Sequence, residues 1–242
     1  MISSLAQDEL AKQAQVKLTE DQKQLYFDFS RIERTLSWAI VGGGWQRHDG
    51  CLWVRVTDQD LRPPVDATAY LQNIIERQHT QPKLGLLTSA RLEDFVDERL
   101  SYGDISVRTV LTAGLSNALR VGDSPGPSGR IGTINIVTQV SRALSHEASI
   151  EAMAIQTEAK AAAMLAKSIP SYRSPALATG TGTDCQVISS PEHQRQEKYA
   201  GKHTKLGYLI GESVYQALCQ GIDKWSLRYP NHPLLKKRED FL

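Results

Sequence analysis

Six consecutive residues with the sequence TGTGTD combine hydroxyls, bare backbone and a carboxylate at one point of the chain. Glycine leaves the neighbouring N–H groups free of side-chain obstruction, and a threonine hydroxyl can donate or accept a hydrogen bond. A tight connection into a strand needs glycine but not three threonines. The run is therefore predicted to bind a polar substrate, with its carboxylate orienting a base or a water. Its members are Thr179, Gly180, Thr181, Gly182, Thr183 and Asp184.

Glu158 is a candidate general acid or base. It lies at helical spacing from Ile155 and Leu165 within an alanine-rich segment, which places it on the apparent apolar stripe of a helix. Burial would raise the pKa of a carboxyl group and suit it to proton transfer. The alternative is a glutamate at the edge of the stripe, paired with a lysine such as Lys160.

His203 precedes the last long helical segment. An imidazole at a helix N-terminus tends to stay neutral and can accept a proton. Lys202 and Lys205 make the local field positive, which favours an anion or a developing oxyanion. The alternative is an ordinary exposed loop histidine.

Two asparagines interrupt strand-like segments, Asn117 in GLSNA and Asn135 in GTIN. Asparagine is unfavourable in a strand, so each amide needs a partner, either structural or from a substrate. Trp38 and Trp45 flank a triple glycine and offer flat apolar surfaces, although a tryptophan there more often serves packing.

The elements that must position these residues form an alternating pattern. Strand-like segments come early as hairpins, and later alternate with helices at about residues 145–167 and 204–225. Ser145 is the candidate N-cap of the first of these two helices. A further helix is predicted at residues 64–79, and another at residues 90–100. The pattern predicts an α/β (α+β) fold in a single domain, a mixed β-sheet flanked by helices. Residues 1–24 are predicted to be a polar helical extension, residues 25–226 the domain, and residues 227–242 a surface tail.

Composition narrows the functional class. The net charge of +1 argues against a strong grip on nucleic acid or on an anionic membrane. The three cysteines are widely spaced, which favours a reducing compartment. No apolar run is long enough for a membrane span, and no local metal motif occurs, so we expect a cytoplasmic protein without a metal or cofactor. Nothing in the sequence specifies an oligomeric state.

Five short motifs in a fixed order resemble the adenosylcobinamide amidohydrolase family. They are GLSNA, GTIN, TEAK, TGTGTD and YAGKHTKLGYLIG, and the resemblance extends from about residue 36 to the end of the last helix. The resemblance implies a corrinoid substrate and hydrolysis of the amide that joins the corrin propionyl side chain to aminopropanol. It also implies the products adenosylcobyric acid and 1-amino-2-propanol, and a role in the salvage of cobinamide to coenzyme B12.

The residues allow two catalytic schemes. In the first, Glu158 and His203 share the proton transfers while water attacks, and Asp184 orients His203 or the water. Backbone N–H groups of Gly180 and Gly182, with Asn135, hold the oxyanion. In the second, Thr181 or Thr183 is a covalent nucleophile. A non-catalytic corrinoid-binding or nucleotide-binding protein is the alternative function.

Overall fold

The computed structural model describes residues 15–78, 83–126, 131–192, 195–238 and 241. The strands within these ranges are β1 (Gln15–Leu18), β2 (Gln24–Ser37), β3 (Gly44–Arg55), β4 (Leu84–Thr88), β5 (Val96–Tyr102), β6 (Ile105–Ala113), β7 (Ala118–Leu119), β8 (Ile134–Val140), β9 (Gly180–Thr181) and β10 (Cys185–Ser190). The α-helices are α1 (Ala67–Gln78), α2 (His146–Ala166), α3 (Lys205–Arg228) and α4 (Pro233–Arg238).

Eight strands form one sheet in the order β4-β3-β2-β10-β8-β6-β5, with β1 added beside β2. The pairs β3–β4 and β8–β10 are parallel, and the other pairs are antiparallel. Strands β7 and β9 form a separate two-stranded ribbon. The mixed sheet with helices confirms the predicted fold class.

The long strand β2 bends the sheet. Its register with β3 shifts between Asp28 and Glu33, and Ser30 within that interval has a φ of 63°, in the left-handed region. The first half of β2 pairs with β1 and the second half with β10. Side chains from both halves of the sheet share one core, so the halves face each other across it. This core includes Phe27, Trp53, Leu86, Val110, Val137 and Val187.

Strand register aligns three rows of side chains across β6, β8 and β10 on this inner face, because alternate residues of a strand point to the same side. The middle row is apolar and consists of Val110, Val137 and Val187. A polar row lies on each side of it. The Gln139 row consists of Arg108, Gln139 and Ser189, and the Asn135 row consists of Thr112, Asn135 and Cys185.

Helices cover the outer face of the sheet. Helix α3 packs Val214 and Leu218 in a cluster with Leu111 and Ile136, and α1 covers β3 through Leu71. The start of α2 follows the predicted capping pattern, since the Ser145 hydroxyl accepts a hydrogen bond from the N–H of Ala148 at 3.1 Å.

Helices α2 and α3 run side by side in the same direction. The carboxylate of Glu151, near the start of α2, accepts from the N–H of Ala200 just before α3. Lys167, immediately after α2, pairs with Asp223 near the end of α3. The first turn of α3 therefore lies level with the beginning of α2.

Three local predictions differ from the structure. Residues 15–18 of the predicted helical extension are strand β1, and residues 1–14 lie outside the described residues. Residues 90–100 form a short 3-10 helix and strand β5, because pairing with β6 outweighs the helix preference of Leu, Glu and Arg. The predicted surface tail contains α4, whose Leu234 is buried against the core.

Candidate active site

The Thr-Gly turn, residues 179–184, leads directly into β10. It is fixed on one side by β7, where Leu119 pairs with Gly180 and Ala118 pairs with Thr181. On the other side Trp38 donates from its indole nitrogen to the carbonyl oxygen of Asp184 at 2.8 Å. Because the Trp38 side chain is about half exposed, the turn carries a flat apolar surface beside it.

Asp184 holds the turn together through its side chain. One carboxylate oxygen accepts from the hydroxyl of Thr181 at 2.5 Å and from the N–H of Ile134 at 3.2 Å. The other accepts from the N–H of Thr181 at 3.0 Å and from the ammonium of Lys160. The Asp184 and Lys160 side chains are 7% and 10% exposed. Asp184 therefore orients Thr181, and the predicted contact between Asp184 and His203 is not among these bonds.

Gly180 makes this ion pair possible. A Cβ at this position would lie 2.2 Å from the Asp184 carboxylate and 2.7 Å from the Lys160 ammonium. The residue itself is buried within β9 and therefore does not lie at the surface of the turn, where its predicted role as an oxyanion donor would place it. Gly182, the other predicted oxyanion donor, is exposed at the tip of the turn together with Thr183.

The other two threonines of the turn hold neighbouring loops. The Thr183 hydroxyl donates to the carbonyl oxygen of Gly132 at 2.8 Å and lies 2.7 Å from the hydroxyl of Thr133. The Thr179 hydroxyl accepts from the N–H of Val121 at 2.9 Å. The TGTGTD motif is therefore tied to the GTIN motif directly.

Asn117 is buried beneath the same turn. A Cβ on Gly132 would lie 2.7 Å from its amide oxygen, and a Cβ on Gly182 would lie 3.5 Å from its amide nitrogen. Neither amide atom has a hydrogen-bond partner within the described part of the chain. A buried amide without partners is costly, so this position is not optimised for stability alone.

The Asn135 row lies at the same end of the sheet. Asn135 donates to the carbonyl oxygen of Leu87 at 2.9 Å, but its amide oxygen and the hydroxyl of Thr112 are buried and have no partner among the described residues. Burial raises the pKa of the Cys185 thiol to about 11, which keeps it protonated at neutral pH. Sequence reasoning missed Thr112, because only strand pairing places it opposite Asn135.

Glu158 lies on the outside of the molecule. Its side chain is 56% exposed and pairs with the ammonium of Lys202, which is 69% exposed. The prediction that Glu158 is buried is wrong, and so is the pairing with Lys160, which binds Asp184 instead. Alanines lie on several faces of α2, so the sequence does not show which face of the helix is buried.

His203 lies in the turn just before α3, as predicted, and is exposed. The helix is capped by its neighbour Thr204, whose hydroxyl accepts from the N–H of Gly207 at 2.9 Å. Lys205 begins the helix with its ammonium 4.9 Å from the ring centroid of Tyr102.

The structure does not bring the three predicted catalytic side chains together. Glu158 and Lys160 are two positions apart on α2, so their side chains leave the helix on nearly opposite sides. Lys160 reaches Asp184 and Glu158 reaches Lys202, beside His203. Helix α2 therefore separates the Thr-Gly turn from the surface that carries Glu158 and His203.

Four of the five motifs do meet. TGTGTD contacts GTIN through Thr183, lies over GLSNA at Asn117, and contacts TEAK through Lys160. Thr157 of TEAK also donates to the side chain of Gln186 at 3.1 Å, just beyond the turn. This end of the sheet is the candidate active site.

The described residues contain neither a membrane-spanning helix nor a cluster of metal ligands. No helix among them is both long and apolar enough to cross a membrane. Within the same residues, no group of three or more His, Cys, Asp or Glu side chains is placed to hold a metal ion.

Comparison with protein families identifies the class. The profile of the adenosylcobinamide amidohydrolase family matches residues 7–230. The chain therefore belongs to this family. The match begins well before residue 36, so it includes more of the N-terminal segment than the five motifs do.

Individual relatives are distant. The chain is 29% identical over 149 residues to an adenosylcobinamide amidohydrolase of Methanosarcina mazei, covering 58% of this chain and 66% of that protein. It is 30% identical over 159 residues to an uncharacterized protein of Methanocaldococcus jannaschii, covering 57% of this chain and 62% of the relative. The chain thus spans less than two thirds of the length of either relative.

A crystal structure of a Pyrococcus horikoshii protein aligns with 90% of this chain and 86% of its own, at 10% sequence identity. The TM-score is 0.41, too low to support an argument about fold or function.

Proposed function

We propose that this protein hydrolyses the amide that joins the corrin propionyl side chain of adenosylcobinamide to its aminopropanol. The products are adenosylcobyric acid and 1-amino-2-propanol, and the acid returns to coenzyme B12 synthesis. The observation that carries the proposal is the family match over residues 7–230. The meeting of four motifs at the Thr-Gly turn supports it, because that turn groups the hydroxyls and amides that a polar substrate needs.

Amide hydrolysis requires a nucleophile, donors for the tetrahedral oxyanion and a proton for the leaving amine. The exposed tip of the turn offers the N–H groups of Gly182 and Thr183 to an oxyanion. The indole of Trp38 offers a flat surface for the corrin ring or the adenine. Asn117 and Asn135 lie just beneath, where amide groups suit a substrate whose rim carries many carboxamides.

The surface with Glu158 and His203 is a second possible place for the proton transfers, and this assignment stays a prediction. Lys202 and Lys205 give that surface a positive charge next to the exposed imidazole. The turn is favoured as the place of reaction because its carboxylate and ammonium are buried and fixed, whereas Glu158 and Lys202 are exposed to solvent.

We place the reaction in the cytoplasm. The three cysteines are unpaired in the structure, as is usual for proteins of reducing compartments.

The direct test is to incubate the purified chain with adenosylcobinamide and to quantify both products by mass spectrometry. We expect aminopropanol and adenosylcobyric acid to appear in equal amounts, and a chelator to leave the rate unchanged. A reaction without protein measures spontaneous hydrolysis. Tight binding of the corrinoid without release of aminopropanol would instead establish the corrinoid-binding alternative.

A further inference from the structure

We propose that Thr181 is the nucleophile and that the reaction passes through an acyl ester on its hydroxyl. This inference rests on the proposed function, since it concerns the same amide bond. It selects one of the two catalytic schemes that the sequence allows, and one of the three threonines of the turn.

The hydroxyls of the three threonines differ in what they bind. The Thr183 hydroxyl donates to a backbone carbonyl, that of Gly132, and the Thr179 hydroxyl accepts from the N–H of Val121. The Thr181 hydroxyl donates to the carboxylate of Asp184 at 2.5 Å. A nucleophilic hydroxyl needs a base within hydrogen-bond reach to take its proton. Among the three, counting partners in the described part of the chain, only Thr181 has one.

The base is itself held in place. Asp184 is bound by the ammonium of Lys160 and by the N–H groups of Thr181 and Ile134. The acceptor oxygen therefore has a fixed direction towards the Thr181 hydroxyl. Lys160 is a positioning residue in this arrangement, and the glycine at position 180 leaves the space that the ion pair occupies.

The steps balance without any further reagent. The Thr181 oxygen bonds to the carbonyl carbon, and its proton passes to the Asp184 carboxylate. The C–N bond then breaks, the proton moves from Asp184 to the nitrogen, and aminopropanol leaves. Water attacks the ester and gives a proton to Asp184; the C–O bond to Thr181 breaks, and this proton returns to the hydroxyl.

The oxyanion of each tetrahedral intermediate lies at the exposed tip of the turn. Gly182 directly follows Thr181, so the N–H groups of Gly182 and Thr183 come next to the bond that forms. Donors so close to the nucleophile resemble the general arrangement in which the residue after the nucleophile supplies an oxyanion contact.

The test compares Thr181→Val, Thr181→Ser and Thr183→Val with the unaltered chain, each checked by circular dichroism. Thr181→Val should lower kcat by at least about 10³-fold, and Thr181→Ser, which restores a hydroxyl, should recover part of that loss. Thr183→Val also replaces a threonine of the same turn by a side chain of nearly equal size without a hydroxyl. It should lower kcat far less.

Acid-quenched single turnovers, read by intact-protein mass and peptide mapping, should show the corrinoid acyl group on residue 181 in the unaltered chain and in Thr183→Val. Turnover by Thr181→Val within tenfold of the unaltered chain, or an adduct elsewhere, would overturn the inference but leave the proposed function standing. No aminopropanol from the unaltered chain would refute the proposed function instead.

Discussion

The two polar rows on the inner face of the sheet belong to the same three strands but are satisfied very differently. In the Gln139 row, Gln139 and Ser189 donate to the fully buried carboxylate of Glu33 at 3.1 and 2.6 Å, and Arg31 donates to it at 3.0 Å. In the Asn135 row, the amide oxygen of Asn135 and the hydroxyl of Thr112 lack partners, as do both amide atoms of Asn117 nearby, counting the described residues alone.

The difference in hydrogen bonding indicates that the two rows have different roles, one structural and one functional. A buried polar group with full hydrogen bonding rigidifies a core, whereas a partly bonded one lowers stability. Proteins keep such costly groups mainly where chemistry or binding needs them. The Gln139 row is therefore interpreted as structural, and the Asn135 row, beside the Thr-Gly turn, as part of the active site.

The largest expected effect on stability follows from removing the carboxylate of the Gln139 row. Glu33→Leu leaves the donors of Gln139, Ser189 and Arg31 without their acceptor, and should lower the free energy of unfolding by about 3 kcal/mol. Urea denaturation measures this loss, with Glu192→Leu at an exposed ion pair as the control. A loss below about 1 kcal/mol would remove the distinction between the two rows.

The contribution of Glu33 to the free energy of unfolding should also depend on pH. Burial raises the pKa of Glu33, against the opposing hydrogen bonds from Ser189 and Arg31. The folded state therefore favours the protonated carboxyl, so the stabilisation is present below the unfolded pKa and is lost as pH rises through the folded value. As pH rises, the free energy of unfolding of the unaltered chain should therefore fall relative to that of Glu33→Gln, which cannot titrate at this position. Parallel curves would show that Glu33 does not titrate differently on folding.

In the active-site region the sign of the stability change should reverse. Asn117→Leu replaces an amide without partners by an apolar side chain of similar size and should raise the free energy of unfolding by about 1 kcal/mol. The same change should lower kcat/KM for adenosylcobinamide. Gln139→Leu is the matched control and should destabilise the fold by about 1 kcal/mol. Loss of stability in Asn117→Leu would mean that its amide has a structural role.

The smallest stability change is expected on the surface beyond α2. Glu158→Gln should alter the free energy of unfolding by less than about 0.5 kcal/mol, because both partners of its ion pair are exposed. Its effect on kcat should be at least about tenfold smaller than that of Thr181→Val if the turn carries out the chemistry. A loss as large as that of Thr181→Val would place proton transfer at Glu158 and His203.

Local patterns predicted helices α1, α2 and α3 and the mixed sheet. These patterns lie within one element each. Ser145 marks the start of α2, and apolar residues recur at helical spacing along the sequences of α2 and α3. The exposure of Glu158 could not be predicted in the same way, because an alanine-rich helix presents apolar residues on more than one face. Strand β5 was missed because its pairing with β6, rather than its own composition, determines its structure.

The sequence motifs of the candidate site could be recognised in advance, but the contacts between their side chains could not. The sequence indicates that the Thr-Gly run carries chemistry, and the structure adds that GTIN, GLSNA and TEAK meet it. The pair of Lys160 with Asp184 joins residues far apart in the chain, and the Asn135 row exists only through the register of β6, β8 and β10. Neither the ion pair nor the row can be predicted from the spacing of residues within one element.

The place of the reaction is tested most directly by a crystal structure of Thr181→Val with intact adenosylcobinamide bound. We predict that the scissile carbonyl carbon lies within about 3.5 Å of the residue 181 side chain, with its oxygen at the N–H groups of Gly182 and Thr183. A carbonyl bound instead at Glu158 and His203, on the far side of α2, would contradict it.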